Sequence, residues 1–67
     1  MDAVMEKAER RKYRDCYGNT AEIVSSRDGV VLTAHLGDRV AVHHLTTVWG
    51  AFNALRQISG GGYWTEV

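Results

Sequence analysis

Three local signals between residues 28 and 47 constrain the fold more than any other feature of the chain. Asp28-Gly29 and Gly37-Asp38 are dipeptides that favour two-residue β-hairpin loops. Thr46-Thr47 supplies hydroxyl groups that accept hydrogen bonds from the first amides of a helix. Together they predict an α+β fold, in which a three-stranded antiparallel β-meander is followed by a packed α-helix. The predicted meander covers residues 20–45, with strands at 20–26, 30–36 and 39–45, and the predicted helix covers residues 47–59.

Two further segments complete one predicted domain, residues 1–67. Residues 1–12 are rich in helix formers that follow a capping Asp2, and they predict a short N-terminal helix. Residues 60–67 begin with consecutive glycines, the first of which suits the end of a helix, and they predict a flexible tail. The helix over 47–59 has an apolar stripe at helical spacing. This stripe comprises Val48, Ala51, Phe52, Leu55 and Ile58.

Two-residue loops also determine which side chains share a face of the meander, because side chains alternate along a strand. Across the first loop Ser25 is predicted to face Leu32, and across the second Leu36 is predicted to face Arg39. One face is then apolar enough to receive the helix. The opposite face still carries Val24, Val31, Val40 and Val42, together with Glu22, Thr33, His35 and His44. The N-terminal helix, a second copy of the chain or a different partner would cover these valines, and the sequence does not decide among the three.

The composition argues against several classes of protein. A chain of 67 residues buries only about 60% of its unfolded surface, so such a domain benefits from a partner. The single cysteine, Cys16, cannot form an intramolecular disulfide, which is typical of a reduced, cytoplasmic protein. No apolar run approaches the roughly 20 residues that span a bilayer, so no membrane association is expected. Eight basic and eight acidic residues leave the net charge at zero.

The basic residues are nevertheless concentrated near the N-terminus. The cluster comprises Lys7, Arg10, Arg11, Lys12 and Arg14. Such clusters bind phosphate groups, and Tyr13 and Tyr17 beside this one would supply stacking groups for bases. The alternative is a solvated helix face that Glu6 and Glu9 neutralise locally. Binding of nucleic acid by segment 7–14 is therefore the second functional hypothesis.

No pattern in the chain predicts catalysis or a bound cofactor. His43 is predicted to point to the opposite face from His35 and His44, so the histidines do not converge on a metal ion. No residue is clearly placed to act as a base for Cys16. The glycine triplet follows a helix instead of preceding one, unlike a phosphate-binding loop. We therefore predict a protein that is not an enzyme and that has no catalytic residue, metal ligand or cofactor.

Three segments carry a resemblance to a known family. They are the aromatic and basic start at residues 13–19 (YRDCYGN), the acidic strand at 21–24 (AEIV), and the passage from 40–42 (VAV) to the helix at 49–52 (WGAF). In this order they resemble a small actinobacterial domain of unknown function, whose genes often lie beside helix-turn-helix regulators. The resemblance covers residues 13–58. It implies a non-enzymatic regulatory partner of a DNA-binding protein.

The sequence thus predicts a small cytoplasmic protein-interaction module that associates with itself and modulates a transcriptional regulator. The expected partners are a second copy of the chain, a DNA-binding regulator, or both. The predicted partner interface comprises Val24, Val31, Val40, Val42, Tyr63 and Trp64. Large aromatic residues such as the last two often anchor interfaces. Nucleic-acid binding by Lys7, Arg10, Arg11, Lys12 and Arg14 is the alternative.

Overall fold

A computed structural model describes residues 8–58 and 63–67 of the chain, and it contains one helix and a five-stranded antiparallel sheet. The strands occur in the spatial order β4-β3-β2-β1-β5. The first four therefore form a continuous meander, and the last one pairs with the outer side of the first. The elements in chain order are β1 (Glu9–Asp15), β2 (Thr20–Ser26), β3 (Gly29–Leu36), β4 (Arg39–Leu45), α1 (Val48–Ile58) and β5 (Trp64–Glu66).

The α+β class is confirmed, but the prediction of a three-stranded meander with an N-terminal helix is wrong. Residues 9–12, predicted to be helical, lie in β1, which pairs with β2 from Glu9 opposite Ser25 to Arg14 opposite Thr20. Helix propensity is a weak local preference, and here the pairing with β2 and the burial of Tyr13 override it. Ala8, also in the predicted helix, precedes β1 without regular secondary structure, and residues 1–7 lie outside the described residues.

The prediction of a flexible tail over 60–67 is also wrong where the structure describes this segment. Trp64, Thr65 and Glu66 form β5, which pairs with β1 at Asp15, Arg14 and Tyr13. The amide of Val67 then donates a hydrogen bond to the carbonyl of Lys12 at 2.9 Å. Residues 60–62 lie outside the described residues. The C-terminal segment thus gives β1 a second strand partner.

The second hairpin has the predicted register, whereas the first is displaced by two residues. Leu36 pairs with Arg39 as expected, and Gly37 has the positive φ of 67° that a primed turn requires. In the first hairpin the loop is Arg27-Asp28, so Ser25 pairs with Val30 and not with Leu32. The displacement is by two residues, so every side chain stays on its predicted face.

Gly29 explains the displaced loop of the first hairpin. Its φ of 131° lies in the region that L-residues rarely adopt, and it is the first residue of β3, not a loop residue. A Cβ atom at this position would lie 3.2 Å from the carbonyl oxygen of Leu45 in β4. Within the loop, the amide of Asp28 donates a hydrogen bond to Oγ of Ser26 at 3.3 Å. The glycine is therefore needed for strand entry.

Helix α1 packs on one face of the sheet, against β2, β3 and β4. Oγ1 of Thr47 accepts a hydrogen bond from the amide of Gly50 at 3.0 Å, which confirms the predicted helix cap. Ala51 and Leu55 are the buried residues of the helix. The core comprises Tyr13, Ala21, Ile23, Val30, Leu32, Ala34, Ala51 and Leu55. None of the described helical residues forms a helix long and apolar enough to cross a membrane.

Candidate interaction surfaces

The sheet face opposite α1 is the first candidate site, and we refer to it as the open face. It follows from the pairing register, because residues paired across neighbouring strands share a face. The open face includes Arg10, Lys12, Arg14, Thr20, Glu22, Val24, Val31, Thr33, His35, Val40, Val42 and His44. The one helix in the described part of the chain packs on the other side. The open face therefore has no layer over it in residues 8–58 and 63–67.

The four valines of the predicted interface all lie on the open face. Val24 pairs directly with Val31, and both are half-buried by their neighbours. Val40 and Val42 lie on the edge strand β4 and are 60% and 52% exposed. Exposed apolar side chains that lie together on one surface are typical of interaction sites. The four valines predicted as interface residues therefore lie on one continuous surface.

Strand β1 contributes a column of basic side chains to the same face. Arg10, Lys12 and Arg14 alternate with core-facing residues along the strand, so successive cations are roughly 6.6–6.8 Å apart. Their partners across β2 are Val24, Glu22 and Thr20. The open face is therefore basic at β1 and apolar towards β4.

Glu22 is the one carboxylate that the described strands place on the open face. It accepts a hydrogen bond from the guanidinium of Arg10 at 3.3 Å, in a pair that is largely solvent-exposed. Such exposed pairs stabilise a fold by only about 0–1 kcal/mol. Lys12 and Arg14 have no ion pair with a described residue. After the pairing of Arg10 with Glu22, the open face retains an excess of positive charge.

Arg11 belongs to the opposite surface, so the predicted basic cluster is divided. Its guanidinium hydrogen-bonds the hydroxyl of Tyr13, and this bond, followed by the nearby carboxylate of Glu66, raises the pKa of Arg11 above its usual value. Arg11 pairs with Ile23, on the face that α1 covers. Lys7 lies outside the described residues. The five cations therefore do not form one helical patch, because alternation along β1 separates Arg11 from Arg10, Lys12 and Arg14.

The remaining predicted interface residues, Tyr63 and Trp64, lie away from the valines. They line a groove of about 670 Å³ between α1 and the C-terminal segment. Tyr63 is 90% exposed and Trp64 is half-buried. Trp49, on the first turn of α1, is 78% exposed and makes an edge-to-face contact with Phe52. The predicted interface therefore divides into two surfaces on opposite sides of the sheet.

The indole Nε1 of Trp64 is buried and has no hydrogen-bond partner among the described residues. Tyr13 closes the floor of the groove, where its ring contacts that of Phe52 with centroids 6.0 Å apart. This groove was hard to predict from the sequence, because β5 lies beyond the glycine triplet and Tyr13 belongs to a segment with helical propensity. The groove is mainly aromatic, and Asn53 and Arg56 also line it.

The loop between β1 and β2 positions the basic column. The carboxylate of Asp15 accepts hydrogen bonds from the amides of Tyr17 and Asn19 at 2.9 and 2.8 Å, and from Nδ2 of Asn19 at 2.8 Å. Oδ1 of Asn19 in turn accepts a hydrogen bond from the amide of Gly37 at 3.1 Å. Two loops are thereby joined at one end of the sheet, which holds the end of β1 at Arg14 in place.

Cys16 and the histidines form no chemical centre in the described part of the chain. His35 and His44 lie on the open face, whereas His43 pairs with core-facing Leu32, as predicted. Residues 8–58 and 63–67 contain no group of three side chains placed to hold a metal ion. Cys16 is an exposed thiol in the loop between β1 and β2.

Comparison of the chain with protein-family models, with curated proteins and with solved structures gives no match. The resemblance to the actinobacterial domain therefore stays a prediction.

Proposed function

We propose that this protein is a small protein-interaction module whose binding surface is the open face. The observation that supports the proposal is the group of valines with no covering layer in the described structure. Burying the exposed half of a valine side chain contributes about 1 kcal/mol to the free energy of association. A partner that covers Val40 and Val42, which are both more than half exposed, is therefore favoured by these two residues alone. A small domain with its core on one side of a sheet gains most from a partner on the other side.

We also propose that the chain associates with itself, and that it does so through the edge of the sheet and not through the open face. The outer backbone groups of β4 have no strand partner among the described elements. This strand has seven residues and lacks the proline, lysine or bulge that blocks pairing between edges. Pairing of two β4 strands would extend the sheet and leave both open faces accessible. Light scattering over a concentration series tests this, and a monomer at every concentration would contradict it.

Modulation of a DNA-binding regulator in the cytoplasm is the finer form of the proposal. Its support is the family resemblance of residues 13–58 and the single exposed cysteine, which suits a reducing compartment. A module of this kind needs no catalytic group. It acts by covering or presenting a surface of the regulator.

The experiment that tests the proposal compares two single-charge variants. Val42→Lys places a charge on the open face, and Gln57→Lys places the same charge on the exposed side of α1. Tagged chains are used to capture proteins from cells that naturally express the gene. We expect a specific protein to bind the native chain and the Gln57→Lys variant, and to be lost from the Val42→Lys variant. Equal capture by all three chains would refute the open face as the binding surface.

Nucleic-acid binding is a second candidate, which the alignment of Arg10, Lys12 and Arg14 on one face supports. An interaction of this kind releases counterions from phosphates and weakens steeply as salt increases. Titration with a labelled oligonucleotide at two salt concentrations tests it. Absent or salt-insensitive binding would eliminate this candidate.

A further inference from the structure

We infer that the occupant of the open face is an acidic, amphipathic helical segment of a partner protein. Its carboxylates lie over Lys12 and Arg14, and its aliphatic side chains lie over Val31 and Val42. The inference rests on the proposed function, because it specifies the chemistry of the partner at the same face. Three features of the open face support the inference: its charge, the type of its apolar residues, and the spacing of its side chains.

Charge complementarity determines the sign of the partner. The chain as a whole has no net charge, yet the described strands give the open face three cations and a single carboxylate. Glu22 is already paired with Arg10, so the positive charge of Lys12 and Arg14 remains for a ligand. A second copy packed face to face would bring the same cations into opposition, which is unfavourable. The face therefore suits an acidic partner of a different kind.

The apolar residues of the open face favour a protein over a nucleic acid. Sheets that bind single-stranded nucleic acid stack bases on aromatic side chains. Here the described strands give the open face valines and, as its only rings, the imidazoles of His35 and His44. The larger rings of Tyr13, Phe52 and Trp64 lie on the side of α1. Valines offer no ring for a base, and a phosphate backbone would leave them uncovered. Leucine or valine side chains of a protein would bury them.

The spacing of the open face matches a helix that lies along the strands. Cations in β1 recur at roughly 6.6–6.8 Å, close to the roughly 6 Å between residues four apart on a helix. A helix about 10 Å in diameter spans about two strand spacings. Placed over β2 and β3, it contacts Val24 and Val31 below and reaches Lys12 on one flank and Val42 on the other. This is the general mode in which an amphipathic helix binds an apolar surface.

The test uses synthetic helical peptides as probes. One carries leucines at i, i+3, i+7 and i+10 with glutamates along one flank, and the second replaces the glutamates by lysines. Calorimetry measures affinity, and amide NMR shifts locate the site. We expect the glutamate peptide to bind the open face and the lysine peptide to bind about tenfold more weakly or worse, since about 1.4 kcal/mol corresponds to a factor of ten.

Charge reversal on the protein provides the decisive comparison. The double variant Lys12→Glu/Arg14→Glu should lose about tenfold or more in affinity for the glutamate peptide and gain affinity for the lysine peptide. The control Arg27→Glu/Arg39→Glu changes the net charge equally at exposed positions outside the open face, and should bind like the native chain. Circular dichroism verifies that both variants are folded.

Several results would overturn the inference. They are an absence of peptide binding, equal affinity for both peptides, no effect of the Lys12→Glu/Arg14→Glu change, or NMR shifts confined to the groove at Trp49 and Trp64. Displacement of the glutamate peptide by a tighter-binding thymidine oligonucleotide would assign the face to nucleic acid instead. If capture of a cellular partner depends on Val42 but charge reversal changes nothing, the proposed function stands and this inference fails.

Discussion

At the scale of single residues, Asp15 illustrates how one carboxylate organises a loop. Partial desolvation raises its pKa, but the hydrogen bonds from Asn19 and Tyr17 to the charged form outweigh this effect and lower the pKa below its ordinary value. The preference of Asp and Asn for such loops is readable from the sequence, where Gly18-Asn19 indicates a turn. The link from Asn19 to the amide of Gly37 was not readable, because it joins two separate loops.

The lowered pKa of Asp15 predicts a loss of stability in acid. The contribution of a carboxylate with a depressed folded-state pKa is present above its unfolded pKa, about 3.9, and is lost as the pH falls through the folded value. Asp15→Ala should therefore lower the melting temperature at pH 7, and the difference from the native chain should shrink below pH 4. Thermal melts across this range measure it. A difference that stays constant down to pH 2 would contradict the assignment.

At the scale of elements, the structure departs from the sequence prediction in β1 and β5. Strand β1 has the sequence ERRKYRD and buries only Tyr13, so its apolar pattern is too sparse to distinguish a strand from an exposed helix. Its pairing with β2 and β5 stabilises the strand conformation, which local propensity does not favour. The bounds of β2 and β4 were predictable, because apolar and β-branched residues end at clear turn signals.

Substitution by alanine should have opposite effects on the stability of the fold at Gly29 and at Gly50. Gly29→Ala should destabilise the fold by about 1–3 kcal/mol, because φ is 131° and the new Cβ would lie 3.2 Å from the carbonyl oxygen of Leu45. Gly50→Ala should stabilise it by up to about 1 kcal/mol, since a Cβ there meets Thr47 and Leu45 at 3.4 Å or more and alanine favours a helix. Urea unfolding measures both. Destabilisation by Gly50→Ala would show that α1 packs more closely at this position.

At the scale of the whole molecule, the central feature is a core on one side of the sheet and, on the other, an apolar face that no element of residues 8–58 and 63–67 covers. The sequence predicted this division correctly even though the first hairpin register was displaced, because a displacement of two residues preserves the faces. It did not predict that the basic residues join the open face, since that depends on β1 being a strand. The combination of cations and valines on one surface is therefore a property of the tertiary structure.

Because the core lies on one side of the sheet, substitutions on the two faces should differ sharply in their effect on the free energy of unfolding. Val42→Lys should change the free energy of unfolding by less than about 1 kcal/mol, because the side chain is 52% exposed. Leu32→Ala, in the same sheet but fully buried against α1, should destabilise by about 2–5 kcal/mol. Chemical unfolding of the two variants provides the measurement. A large loss in Val42→Lys would mean that another part of the chain covers the open face.

Methyl NMR of the valines tests most directly whether the open face is the binding surface. The protein retained in the capture experiment is added to the chain labelled at its valine methyl groups. We predict shifts at Val31, Val40 and Val42 on the open face, and little change at Val30, which is buried on the side of α1. Unchanged open-face methyls in a chain that is fully bound to its partner would contradict the account.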